Sequence, residues 1–209
     1  MRVWEVKSTT DDAIVLYYFS PDGEEGYPGN MDVTVTYELT DDNELKIHYE
    51  ATTDKPTIAG FTNHSYFNLK GAGEGTVRDH ILQLNADFHT ALDDNTCPTG
   101  EVLKVDGTPY DFREPTLIEE RIDNPVYASN RGLDDNWVIR RNQPHELALA
   151  GYIYEPKSGR KMEVLTTKPG VQIYAANWVE KQTGKYGKQY DAQCAVCLEA
   201  QGFPASPAY

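Results

Sequence analysis

The chain has 209 residues, 39% of them hydrophobic, enough to bury a sizeable core in one large domain. Its formal net charge of -14 and pI near 4.7 set it against nucleic-acid phosphates and anionic membrane surfaces, and leave a neutral small molecule unaffected. No apolar run reaches the length of a membrane span, and MRVWEVKSTTDD lacks the basic-then-apolar pattern of a signal peptide, so the expected location is the cytoplasm.

AIVLYYF, residues 13–19, is an apolar and aromatic run that reads as a strand, followed by a turn-rich loop, SPDGEEGYPG, whose glycine spacing matches no phosphate-binding fingerprint. MDVTVTYELT alternates, with Met31, Val33, Val35, Tyr37 and Leu39 inward, and ELKIHYEAT repeats the pattern with Leu45, Ile47, Tyr49 and Ala51. Asp41, Asp42 and Asn43 supply turn chemistry between them, which predicts an antiparallel hairpin with one wet face that carries His48. FTNHSYFNL, residues 61–69, reads with period 2 as a further strand. Phe61, Asn63, Ser65, Phe67 and Leu69 then share one face, and Thr62, His64, Tyr66 and Asn68 the other. After a glycine-rich loop, DHILQLNADF is predicted as a single strand with Leu82, Leu84 and Ala86 on one side; His80 and His89 at its ends are assigned to turns and packing. The stretch to Arg131 is rich in Asp, Pro, Gly and Thr, and only TLIEERI suggests a helical turn. LDDNWVI, residues 133–139, reads as a strand opening with two carboxylates. ELALAGYIYEPKSGRKMEVLTT is a second hairpin, turning at residues 156–159. PGVQIYAANW puts Gln172, Tyr174 and Ala176 on one face, and CAVCLEAQGFP does the same for Ala195, Cys197, Glu199 and Gln201. With no long helix, repeat or linker, the pattern predicts an all-β, antiparallel β-sandwich occupying residues 1–209 as one domain.

Cys97, Cys194 and Cys197 are an odd set without a disulfide framework, as suits a reducing compartment. Cys194 and Cys197 form a CxxC, but on a strand that spacing sends the thiols to opposite faces, so neither metal nor redox use is expected. His64 shares its predicted face with a phenol, an amide and a hydroxyl, a set suited to a sugar's hydroxyls and C–H faces; equally, those neighbours would satisfy a structural histidine. Glu199 stands on an otherwise apolar strand, where partial burial would raise its pKa and make it a general base, whereas full exposure would leave it an ordinary strand-end glutamate. Asp134 and Gln172 are comparable polar groups on apolar strands. On these grounds alone the chain is a β-sandwich with several strand-borne polar residues.

The ordered strings NHSYFNL, DHILQLNADF, PTGEV, GTPYDFR, GLDDNWV, PGVQIYAAN and CLEAQGFP resemble the aldose 1-epimerase (galactose mutarotase) family from Trp4 to about Pro207. The resemblance implies a large antiparallel supersandwich that binds a hexose without cofactor or metal. It also implies acid and base roles for His64 and Glu199, a carboxylate on the sugar hydroxyls at Asp134, an amide contact at Gln172, and Ser65 with Tyr66 in the same binding segment. The function expected is the interconversion of α and β anomers of galactose or glucose; the alternative is a non-catalytic carbohydrate-binding sandwich. An epimerase of hexose 6-phosphates would want an arginine cluster, and the only one, Arg131, Arg140 and Arg141, has no evident aim at the site.

Family members carry a stretch ahead of the position of Trp4, with an Asn-Arg pair and a His-Gly-Gly segment, that nothing here matches, and strands beyond the position of Tyr209. The chain therefore reads as truncated, with sheet edges expected to pair in self-association. Asp135 stands where the family has histidine, Ala200 where it has threonine and Ala205 where it has aspartate. A carboxylate at Asp135 is expected to repel Asp134.

Overall fold

The computed structural model describes residues 2–208, and their contacts divide into two compact units, one up to Phe61 and one from Thr62 onward. The fold is nearly all β, with antiparallel sheets.

The first unit is a meander of β1 (Glu5–Thr9), β2 (Ala13–Ser20), β3 (Met31–Leu39) and β4 (Leu45–Thr53), hydrogen-bonded in that order. The alternation in β3 does what it predicts: Val33 and Val35 are buried while Asp32 is exposed. Leu39 and Leu45 depart from it, because they face each other at the hairpin end, where they are exposed. The turn carries Asn43 at φ 60°, a left-handed conformation that asparagine tolerates. His48 is exposed on the wet face.

The second unit contains β5 (Ile81–Leu84), β6 (Ala86–Leu92), β7 (Pro98–Lys104), β8 (Thr116–Leu117), α1 (Glu119–Ile122), β9 (Asp134–Ile139), β10 (Ala148–Glu155), β11 (Arg160–Thr166), β12 (Gly170–Tyr174), the short pair β13 (Gln182–Thr183) and β14 (Gln189–Tyr190), and β15 (Cys197–Gln201). One sheet runs β11-β10-β5-β8 and the other β15-β12-β9-β6-β7. Leu82, Leu84, Ala150 and Ile153 of the first sheet and Trp137, Val171, Ile173 and Leu198 of the second share one buried cluster. That is the sandwich core.

Three sequence expectations are corrected here. Residues 61–69 do not form a strand; only Phe67 pairs, in an isolated antiparallel bridge to Val196. The Asn side chains explain this, since Asn63 Oδ1 accepts the Ser65 N–H (3.2 Å) and Asn68 Oδ1 the Lys70 N–H (3.0 Å), bonds that compete with a ladder. DHILQLNADF is two strands in different sheets. Asn85 marks the break, its N–H donating to Ala150 O (2.8 Å) and its Nδ2 to Leu149 O (3.0 Å), so the chain switches sheets while Leu82, Leu84 and Ala86 all stay buried. PTGEVLK is an edge strand, the position at which a sheet tolerates Pro98. His80 and His89 are structural as expected: His80 Nε2 accepts the Leu69 N–H (3.1 Å), and His89 stacks on Tyr110 with centroids 3.8 Å apart.

Gly151 lies at an irregularity in the β10–β11 register, at φ 157°, and a Cβ there would meet Gln83 O at 2.1 Å. That oxygen is backbone and cannot swing aside. Gly151→Ala is therefore expected to destabilise the protein by roughly 1–3 kcal/mol, read as a lower thermal midpoint; an unchanged midpoint overturns this reading. Among the described residues no helix is long and apolar enough to cross a membrane.

Candidate active site

Three adjacent strands build the floor of the site. In β9, β12 and β15, Asn136 is paired with Gln172 and Gln172 with Glu199, and one step along, Asp134 with Tyr174 and Tyr174 with Cys197. Period 2 sends Asp135, Trp137, Val171, Ile173 and Leu198 into the core and leaves Asp134, Gln172, Tyr174, Glu199 and Gln201 on the opposite face. The irregular segment after Thr62 is strapped beside β15 by the Phe67–Val196 bridge and by Asn68 Nδ2, which donates to Cys194 O (3.0 Å) and Gly75 O (3.2 Å). That strap carries His64 and Tyr66 over the sheet. The result is an open, mostly polar cavity of about 420 Å³.

His64 Nε2 lies 3.2 Å from Glu199 Oε1; the histidine side chain is 48% exposed and the glutamate 9%, so one member faces solvent and the other the sheet. Tyr66 stacks on the His64 ring at 5.1 Å and Tyr174 meets it edge-on at 5.8 Å, which fixes the imidazole plane. Gln172 Nε2 donates to Asp134 Oδ1 (2.9 Å), while Gln172 Oε1 is buried without a hydrogen-bond partner among the described residues. Burial raises the Glu199 carboxyl above its ordinary range; the adjacent His64 pulls it back and Asp134 pushes it further up. Burial raises Asp134 as well, against the Gln172 hydrogen bond and the His64 charge. Two carboxyls of raised basicity therefore flank one imidazole. The start of β9 is held by Asn177, whose Nδ2 donates to Leu133 O (2.9 Å); Gly132, at φ 145°, leaves the space, since a Cβ there would meet Asn177 Oδ1 at 2.4 Å.

Of the residues singled out from the sequence, the structure brings His64, Tyr66, Asp134, Gln172 and Glu199 together around this cavity. Ser65 is not among the lining side chains; its N–H is engaged by Asn63. Tyr174, Trp178, Gln201 and Pro204 also line the cavity and were not selected as site residues. Tyr174 and Gln201 were within reach of the same periodicity, two positions after Gln172 and Glu199. Trp178 and Pro204 lie outside the strands, where periodicity gives no signal.

The expected repulsion is present, since the Asp134 charge adds to the upward push on the Asp135 carboxyl, but Asp135 lies outside the cavity. It points into the core at 4% exposure and accepts the Asp134 backbone N–H (3.3 Å). The arginines also separate: Arg140 pairs with Asp87 (2.9 and 2.7 Å), Arg141 donates to the carbonyls of Thr167 and Lys168, and Arg131 lies over the Trp178 ring at 4.2 Å. Arg131 thus touches a cavity-lining ring without lining the cavity itself. Cys194 sits in a turn ahead of β15 and packs against the same small cluster as Cys197, so the opposite-face expectation for the CxxC fails, and all three thiols are free. Ligand atoms of His64, Cys197 and Glu199 lie within 4.8 Å of one another, the one such group among the described residues. Burial pushes the Cys197 thiol up to about 12, so a metal bound there has to displace its proton.

A family model described as aldose 1-epimerase matches residues 1–209. A galactose mutarotase from Sus scrofa is 39% identical over 186 residues, covering 88% of this chain and 53% of the relative. An aldose 1-epimerase from Haemophilus influenzae is 32% identical, covering 99% and 60%. A crystal structure of an aldose epimerase homologue from C. elegans superposes with a TM-score of 0.87 at 31% identity, covering 99% of this chain and 61% of that one; a galactose 1-epimerase from Lactobacillus acidophilus gives 0.82 at 30%, covering 98% and 59%. The chain spans between one half and two thirds of the length of these relatives. With the family match running over its whole length, and with a fold shared with solved members, the chain belongs to the aldose 1-epimerase family.

Proposed function

We propose that the cavity binds a free hexose and interconverts its α and β anomers, with Glu199 as general base and His64 as general acid. The observation that carries this is the 3.2 Å approach of a half-exposed imidazole to a buried carboxyl of raised basicity, at a polar cavity bordered by Asp134 and Gln172. The Glu199 carboxylate takes the proton of the anomeric hydroxyl, protonated His64 gives one to the ring oxygen, and the bond between C1 and the ring oxygen breaks to leave an open aldehyde. Rotation about the C1–C2 bond presents the other carbonyl face. Closure then runs the transfers backward, so each group recovers its starting state and no external reactant is consumed.

Burial, opposed by the adjacent His64, keeps Glu199 basic enough to accept the proton. Asp134 accepts hydrogen bonds from sugar hydroxyls, and Gln172, which lines the cavity beside it and donates to it, keeps the carboxylate oriented. Galactose and glucose are the proposed substrates, in line with the relatives described as galactose mutarotases. Polarimetry of freshly dissolved α-D-galactose and α-D-glucose is expected to show faster mutarotation with the protein than in buffer. A folded sample that gives no acceleration with either sugar overturns the proposal.

A further inference from the structure

We infer that Trp178 is a stacking subsite of the cavity that selects pyranoses of galacto configuration, and that Arg131 positions its ring. The inference rests on the cavity being a hexose site and assigns its preference. Trp178 lines the cavity yet remains 49% exposed, an unusual place for the largest apolar side chain in the absence of a partner. It is nevertheless anchored. Its backbone N–H donates to Tyr174 Oη (3.1 Å), and Tyr174 in turn packs edge-on against His64, so the indole is tied to the ring that holds the proposed acid. The Arg131 guanidinium lies 4.2 Å from the centre of the ring and covers one face, with its own charge answered by Glu180 (3.5 Å). An indole has two faces, and the cation occupies only one.

Among the other lining side chains, Asp134 and Gln172 engage each other, Tyr66 turns one face to His64 and Tyr174 meets His64 edge-on, so the indole is the largest ring surface at the cavity not committed to the proposed acid. Hydroxyl recognition is therefore supplied by the sheet and apolar recognition by Trp178. A pyranose with an axial 4-hydroxyl gathers the C–H bonds at C3, C4 and C5 on a single face, whereas an equatorial 4-hydroxyl turns the C4 hydrogen to the opposite face. A flat aromatic surface gains more contact from the gathered face, and carbon is what a half-exposed indole lacks.

The full chain is titrated with D-galactose and D-glucose already at anomeric equilibrium, with indole emission as the readout, and KM and kcat are taken from polarimetry. The protein has three tryptophans, and loss of the shift in Trp178→Phe assigns it to Trp178. Galactose is expected to shift the emission to the blue, and Trp178→Phe to remove the shift while keeping most of the affinity. Trp178→Ala is expected to raise the galactose KM about tenfold, to raise the glucose KM by much less, and to leave kcat nearly unchanged. Arg131→Gln is expected to raise the galactose KM by a smaller factor. Circular dichroism of each variant separates a binding effect from misfolding. Equal KM increases for the two sugars, or acceleration of mutarotation without any emission response, overturn the subsite and leave the proposed activity standing. A galactose response without acceleration does the reverse, and the absence of both overturns the two together.

Discussion

Glu199→Gln is expected to lower kcat for galactose mutarotation by about 10²–10⁴-fold, the contribution typical of one positioned general base. The substitution removes basicity and little else. Glutamine matches the volume of the side chain, which matters at a residue only 7% exposed, and its amide oxygen can still face His64 Nε2 at the observed 3.2 Å. Because glutamate is held there at some desolvation cost, shown by the upward pull of burial on its carboxyl, the neutral amide should be at least as stable as the parent at neutral pH. His64→Asn should produce a loss of similar order, since it removes the only imidazole lining the cavity among the described residues. Near-normal turnover in either variant, with folding confirmed by circular dichroism, overturns the assignment of acid and base.

The second large effect concerns stability and pH. Asp135 is buried on the core face of β9, its pKa pushed up to about 7 by burial, with the Asp134 charge adding to the push and the Asp134 N–H opposing it. The groups recorded facing it are the Asp134 carboxyl and the phenols of Tyr110 and Tyr127, themselves raised by burial first and by Asp135 second. In the unfolded chain an aspartate loses its proton near pH 4. Between about pH 4 and 7 the native protein therefore holds a proton that the unfolded chain has released, and unfolding free energy falls as pH rises through that window. The contribution is complete below the unfolded pKa and lost above the folded one. Its slope is at most about 1.4 kcal/mol per pH unit for one group. Asp134 and Glu199, also raised by burial, act in the same direction. Asp135→Asn keeps an acceptor for the Asp134 N–H and removes the ionisation, so the variant should be more stable than the parent at pH 8 and show a shallower dependence. Urea unfolding at pH 5 and pH 8 checks this; an unchanged slope in the variant overturns it.

The same residues show why the sequence was informative about some parts and silent about others. The hairpins β3–β4 and β10–β11 were legible because alternation and turn chemistry are local, and both lie within a few tens of residues. Alternation likewise placed Gln172 with Tyr174, and Glu199 with Gln201, on shared faces, and the ordered motifs pointed to His64, Tyr66, Asp134, Gln172 and Glu199, which the fold does gather. Local pattern misled at 61–69, where asparagine side chains take the N–H groups that a ladder would need, and at Asn85, where an unbroken apolar rhythm runs through a change of sheet.

By itself, then, the sequence determined the secondary-structure class and the two hairpins, because each depends on neighbours along the chain, while its resemblance to the family named His64 and Glu199 as the proposed acid and base. Tertiary structure alone decided that His64 meets Glu199 from an irregular strap, that Asp135 turns into the core, and that Trp178 and Arg131 stack at the cavity edge. Those outcomes depend on contacts between residues far apart in the chain, and on which carboxyls lose water when the two sheets close on their common core. Neither quantity is written in the spacing of residues along one segment.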